Sequence, residues 1–405
     1  MDKAKKGLLQ AGNKQLKKNS QKLIIFGVLV ALYVFFSIFG RNFSSYSTFI
    51  SIANRSYYIG FLAIGVTFVI ITGGIDLSIG AVMGACGLIA GFFYEQLGVP
   101  VGYALLIMIV AGGLFGTFNG LLVARLKLPP FIATLGTMLI STALGSIACN
   151  VNTISFPTRF DELGRGWYKQ IFLTTNPQFP SGLVALVVFA IIMGVILQKT
   201  KVGRYTFAMG SNEEATRLSG VNIGKWKMFP YIISGIFAGL AAIAYTASYT
   251  SILPGTGKGF ELDAIAAAVI GGTSLSCGLG SVSGTMIGVF IMSVLATGLS
   301  SLGLPPHYQD LFTGVVVIGA VLFDIYRQNQ RMRINLKNPI QKYKIEMGEK
   351  IAALDARTNI AIADNNQPLQ IRLEEQREAL VKEMADNLPR IKAEHRKSKK
   401  QKKHS

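Results

Sequence analysis

The sequence predicts an all-α polytopic membrane protein of about ten transmembrane helices in two related halves, with broken helices and a charged cytoplasmic C-terminal tail. Three observations carry this. Half of the 405 residues are hydrophobic and only 15% are charged, where a soluble domain carries about 25%. The apolar residues come in long uncharged runs such as 23–39, 101–124 and 183–197, and about 20 helical residues cross a hydrocarbon core of roughly 30 Å. The positive charge is concentrated in the two tails, on the side where Lys and Arg gather in membrane proteins.

The expected spans are 23–39, 57–72, 75–93, 101–123, 131–149, 182–198, 229–249, 263–274, 282–300 and 311–326. The first is followed by further apolar runs and by no small-residue cleavage site, so it reads as a span rather than a signal peptide. With the basic N-terminus inside, ten spans return the C-terminus inside. Inside segments then hold 34 Lys and Arg and outside segments six. The chain divides into a basic N-terminal segment (1–22), a transmembrane domain (23–326) and a charged tail (327–405).

The net charge of +19 does not point to nucleic acid, because it is carried by tails that flank membrane spans. Cys86, Cys149 and Cys277 lie in or beside apolar segments without metal-type spacing and read as small buried hydrophobes. In the tail, Leu369, Leu373, Leu380, Met384 and Leu388 share one helical face and Pro389 follows. This reads as a cytoplasmic amphipathic helix that precedes a solvated basic run.

Two places are irregular. Segment 263–274 is too short to cross alone, and spans 57–72 and 75–93 are joined by Gly73 and Gly74. Such segments are what broken or re-entrant helices look like, and non-helical backbone at depth needs protein or a cavity around it. A weak repeat falls on the same places: 73–80 (GGIDLSIG) and 271–278 (GGTSLSCG) agree at five of eight positions, 198 residues apart.

No catalytic constellation is visible. The run 255–259 (GTGKG) lacks the hydroxyl residue of a phosphate-binding loop and falls outside by the charge count. His307, His395 and His404 are not clustered with Cys or carboxylates, so no metal centre is expected. Transport is therefore passive, ion-coupled, or driven by ATP hydrolysis in a partner, and no cofactor is expected in this chain. Asp76 is the ionisable residue best placed for a pathway role, since a carboxylate at depth costs about 2.5–3.5 kcal/mol. Capping of the following helix by Asp76 or Ser78 is the simpler explanation, and both roles could hold together. Asp263 and Asp310, at outer span starts, read as caps too.

Loop 199–228 is cytoplasmic by charge. Within it Asn212 or Ser211 caps a short helix with Glu213 and Glu214 in its first turn, Arg217 beyond them and Gly220 at its end. Such a helix suits a groove in a cytoplasmic partner, and equally a simple capped connector.

With Glu214, Ala215 and Gly220, that loop resembles the coupling segment of ABC importer permeases. Its wording, GSNEEATRLSGVN over 210–222, is similar to that of the ribose, xylose and galactoside permeases. The same family is resembled by 73–80, by 128–136 (LPPFIATLG) and by 261–272 (ELDAIAAAVIGG), the last nearest to galactose/methylgalactoside-type members. The resemblance implies a cell-membrane subunit that pairs with a second copy and takes a monosaccharide from an extracytoplasmic binding protein, received partly by loop 150–181. Two cytoplasmic subunits that bind ATP would drive it, docked on Asn212, Glu213, Glu214, Ala215, Arg217 and Gly220. Cys277 stands where glycine is usual in the family, and the tail is longer than the family's typical end.

A sugar path is lined by aromatic, amide and hydroxyl groups. The candidates are Gly73, Gly74, Asp76, Ser78, Asn119, Phe131, Thr134, Asn150, Gly271, Gly272 and Ser274, each of which packing between helices also explains. The competing readings are a branched-chain amino-acid permease and an ion-coupled carrier, with a membrane enzyme the least supported.

Overall fold

The computed structural model describes residues 22–158, 161, 163–174, 178–275, 278–336, 339–363 and 367–401. Cys277 and the end of the basic run lie outside them. Among the described residues, seven helices are long and apolar enough to cross a membrane. These are α1 (Lys22–Phe39), α2 (Tyr46–Ile71), α4 (Val101–Ala124), α5 (Pro130–Ala148), α6 (Gly182–Lys199), the run Ile223–Ser248 and α12 (Val282–Ser301). Between them stand α3 (Ile79–Glu95), α7 (Lys201–Ser211), α8 (Glu213–Leu218) and α11 (Phe260–Ile270). The run Ile223–Ser248 is a short α9 (Ile223–Trp226) followed by α10 (Met228–Ser248). Among the described residues the elements are helical apart from one antiparallel ladder, in which Ile154 pairs with Ile252 and Ser155 with Ser251.

Three expected boundaries move. The span expected over 57–72 starts at Tyr46, where the Ser45 hydroxyl accepts from the Thr48 N–H. Asn54 and Arg55 interrupt the apolar run without interrupting the helix. The span expected over 75–93 begins only at Ile79. The segment expected over 263–274 is an 11-residue helix ending at Ile270.

From Ser56 to Ile71 every residue of α2 is buried. A helix that is apolar on all sides belongs in the centre of a bundle, and α2 packs against α10, α12, α11 and α6. By contrast α1, α4, α5 and α6 expose large apolar side chains such as Val30, Leu114, Leu139 and Ile191, as helices facing lipid do.

A close crossing joins α4 and α10 through Gly112, Gly116, Gly235 and Gly239. A Cβ at Gly112 would strike the Gly235 carbonyl oxygen, and one at Gly235 the Gly112 oxygen. Small residues four apart let two backbones meet in this way. The run 255–259 is a packing clasp across α3: a Cβ at Gly84 would overlap the Thr256 oxygen, and one at Gly80 the Gly257 oxygen. In the loop before α6 Arg165 grips Asp161 through two nitrogens, at 2.7 and 3.0 Å. That grip holds the Asp161 carboxyl below the usual carboxylate range, at about 2.

The chain divides into two units after Asp324, within α13 (Pro306–Leu336). In the second unit α14 (Pro339–Ala363) packs against α15 (Gln367–Gln401). Met347 and Leu373 are buried, and Arg377 pairs with Asp355 at 2.7 Å. The helix expected to stop before Pro389 continues to Gln401 with Pro389 inside it, so the start of the basic run is helical. One missing N–H removes a single bond, and the turns on either side carry on.

Candidate functional site

The two glycine breaks are built alike. After α2 the Gly73 N–H donates to the Ile70 carbonyl at 2.9 Å and the Gly74 N–H to the Val69 carbonyl at 3.2 Å. After α11 the Gly272 N–H donates to Val269 at 2.9 Å and the Thr273 N–H to Ala268 at 3.0 Å. Both are helix-ending motifs that need a left-handed residue, supplied by Gly73 (φ +78°) and Gly272 (φ +91°). The matching glycines are therefore 199 residues apart, one more than the sequence alignment placed them.

Asp76 sits in the first break and is 2% exposed. One carboxyl oxygen accepts from the Ser78 N–H at 3.1 Å and the Ser78 hydroxyl at 2.6 Å. The other accepts from the Ser234 hydroxyl of α10 at 2.7 Å. The Asn119 amide of α4 donates to the Ser78 oxygen at 2.8 Å. Thr134 of α5, which donates to Pro130 at 2.9 Å, also lies 3.4 Å from the Ile75 carbonyl. Asp76 thus ties the break to α4 and α10 where their glycine crossing brings them together. It does not cap α3: Ser78 is the N-cap and its side chain makes no capping bond; its hydroxyl donates to Asp76 and its oxygen accepts from Asn119 instead.

Two polar groups beside this cluster make no hydrogen bond among the described residues: Asn119 Oδ1 and the Tyr231 hydroxyl. The latter stands 2.5 Å from where a Gly74 Cβ would be. Ser234 and Tyr231 were not among the expected residues, and nothing in the apolar run of α10 marks them. Phe131 and Asn150 fall away from the cluster. The face of α5 that is buried carries Ala133, Thr134, Thr137, Ser141 and Gly145, while Phe131 is 54% exposed and Asn150, beyond the helix, is exposed too. Gly271 packs on Gly284, where a Cβ would lie 2.6 Å from the Thr285 nitrogen. Ser274 is buried, and its N–H donates to the Leu279 carbonyl at 2.8 Å.

Asp263 is no cap either. It pairs with Arg55 of α2 at 2.8 Å, with the Thr313 hydroxyl 3.4 Å away; Glu261 takes the capping role and accepts from the Gly259 N–H at 3.1 Å. Removing one partner of a buried pair costs about 3–5 kcal/mol. Asp263→Ala is therefore expected to lower the thermal transition markedly, and Arg55→Met with Asp263→Leu to recover most of the loss. A double variant no better than the single would contradict this.

In the loop, Asn212 caps α8 by accepting the Ala215 N–H at 2.8 Å. Glu214 pairs with Arg217, and Glu213 pairs with Lys227 at the start of α10, at 2.7 Å. Gly220 (φ +82°) follows the helix, and Leu218 is 74% exposed. Tyr205 meets Trp226 edge-on and Trp226 stacks on Phe229, holding α7, α9 and α10 together, with ring centroids 4.7 and 5.2 Å apart.

Gly210, just before the expected coupling residues, bears on both breaks. A Cβ there would strike the Ile71 carbonyl oxygen and lie 2.9 Å from Gly278 Cα. One at Gly278 would lie 2.5 Å from the Ser211 nitrogen and 2.6 Å from the Phe207 oxygen. The Ile71 side chain in turn fills the space at Gly280.

A central broken helix, a second break of the same build and, against both, the last turn of α7 leading into an exposed capped helix define the membrane subunit of a transporter. Residues 48–321 match the family described as "Branched-chain amino acid transport system / permease component". The ribose import permease RbsC of Bacillus subtilis is 38% identical over 308 residues, covering 75% of this chain and 92% of that protein. The fructose import permease FrcC of Rhizobium meliloti is 33% identical over 79% of this chain and 89% of its own length. The galactose/methyl galactoside import permease MglC of Escherichia coli is 33% identical over 68% and 88%. The chain belongs to this family of ABC-importer permeases, on its sugar-permease side.

Proposed function

We propose that the chain carries a monosaccharide into the cell, driven by ATP hydrolysis in cytoplasmic subunits docked on α8. The observation that carries this reading is the placement of α8: it is capped and exposed, and its root at Gly210 and Ser211 presses on both glycine breaks. A partner that moves α8 therefore moves the ends of α2 and the start of α12. The substrate class rests on the ribose, fructose and galactoside relatives. The charge asymmetry supports both termini inside; the kinship with ABC-importer permeases supports an extracytoplasmic sugar-binding protein delivering from the other face and a second copy completing the pore. The family description also covers branched-chain amino acids, so uptake is measured against pentoses, hexoses and leucine.

The docking part is tested with Glu214→Lys. The variant is expected to insert and fold normally, to lose co-purification of the ATP-binding subunits, and to lose uptake with it. Unchanged co-purification would overturn the assignment of α8.

A further inference from the structure

The surface of the bundle carries an apolar groove away from the Asp76 cluster. Between α6 and α12 lies a groove of about 400 Å³ lined by Val187, Ile191, Val195, Met286 and Phe290 and ending at Gln198, Lys199 and Ser283. Phe290 also lines an almost wholly apolar cavity of about 250 Å³ among α1, α2, α6 and α12, so the apolar slot continues beyond the groove. Gly194 opens the groove: a Cβ there would find only Val282, at 4.0 Å.

The polar end is cationic. Lys199 occupies the last turn of α6 and is exposed. Lys22, at the start of α1, donates to the Ser283 hydroxyl at 2.5 Å, which brings its ammonium to the same end. From Val187 to Lys199 the groove follows about 18 Å of helix at about 1.5 Å per residue, close to the thickness of one leaflet, roughly half of a 30 Å core. A slot one leaflet deep, apolar along its length and doubly cationic at one end, has the shape and charge of an amphiphile with an anionic head.

We infer that this groove holds an anionic phospholipid, its acyl chain along α6 and α12 and its phosphate between Lys199 and Lys22. The leaflet is the cytoplasmic one, which rests on the orientation proposed above; the site itself does not depend on the transport reading.

The full chain, purified in a neutral detergent, is titrated with dioleoyl phosphatidylglycerol and with dioleoyl phosphatidylcholine, and retained lipid is counted by native mass spectrometry. Phosphatidylglycerol is expected to be held about tenfold more tightly, from two lysines near a phosphate. Lys22→Ala with Lys199→Ala should erase that preference. Gly194→Phe, which keeps both lysines and fills the slot, should lose the retained lipid, and each variant's thermal transition checks its folding. Equal retention of the two lipids by the native chain overturns the inference, and so does a preference that survives the lysine replacements. Efficient disulfide formation between two copies carrying Ile191→Cys would also overturn it, by showing a second chain in the groove.

Discussion

Replacing Asp76 by alanine is expected to destabilise the protein by about 2–4 kcal/mol and to cut uptake at least about tenfold. The change removes the acceptor for three donors at once: the Ser78 N–H, the Ser78 hydroxyl and the Ser234 hydroxyl. Each buried donor left unmet costs about 1–3 kcal/mol. The total falls short of their sum because the Ser234 hydroxyl can turn back to the carbonyl four residues earlier in α10. The break also loses its tether to α10, so uptake is expected to suffer more than stability. Asp76→Asn separates geometry from charge. Its amide oxygen still accepts from Ser78, and its NH2 donates to a reoriented Ser234. Stability within about 1 kcal/mol of the native protein and substantial uptake are expected. Thermal unfolding in detergent and vesicle uptake read the two effects. An asparagine variant as damaged as the alanine one would show that the negative charge itself is required and would sink the positioning role.

The parts of this arrangement legible in sequence were those written in local pattern. Gly73 and Gly74 announced a break because glycine after an apolar run ends a helix, and Asn212 announced α8 because capping acts over three residues. The partners of Asp76 were not legible. Ser234 is one hydroxyl in an apolar helix, and only the crossing of α4 and α10 brings it and Asn119 to the same carboxyl. The glycines of that crossing carry a readable four-residue spacing, which could have pointed to the contact. Asp263 reads as a cap and Arg55 only as one of the charges between spans, since nothing local reports a partner 208 residues away. The N-terminal part of α2 was missed because Asn54 and Arg55 break the hydrophobic run while the backbone ladder continues through them.

Gly210→Ala is expected to uncouple the transporter while leaving its ATP-binding partners attached. The added methyl has no room: it would overlap the Ile71 carbonyl oxygen and crowd Gly278. These are backbone atoms, which do not rotate away as a side chain does. The last turn of α7 must therefore lift off the end of α2, at a cost of about 1–3 kcal/mol for overpacking. The docking face is untouched, because Asn212, the Glu214–Arg217 pair and the Glu213–Lys227 pair all lie beyond the lifted residue. Co-purification of the ATP-binding subunits should persist and ATP hydrolysis should continue, while ATP consumed per sugar imported rises several-fold. Gly220→Ala serves as the control. Its strain is of order 1 kcal/mol, from a left-handed φ of +82° in open space, and it should leave the ratio nearly unchanged. A Gly210→Ala protein with a native ratio would remove Gly210 from the coupling path. One that loses its partners as Glu214→Lys does would show instead that this glycine shapes the docking surface, and that motion reaches the breaks by another contact.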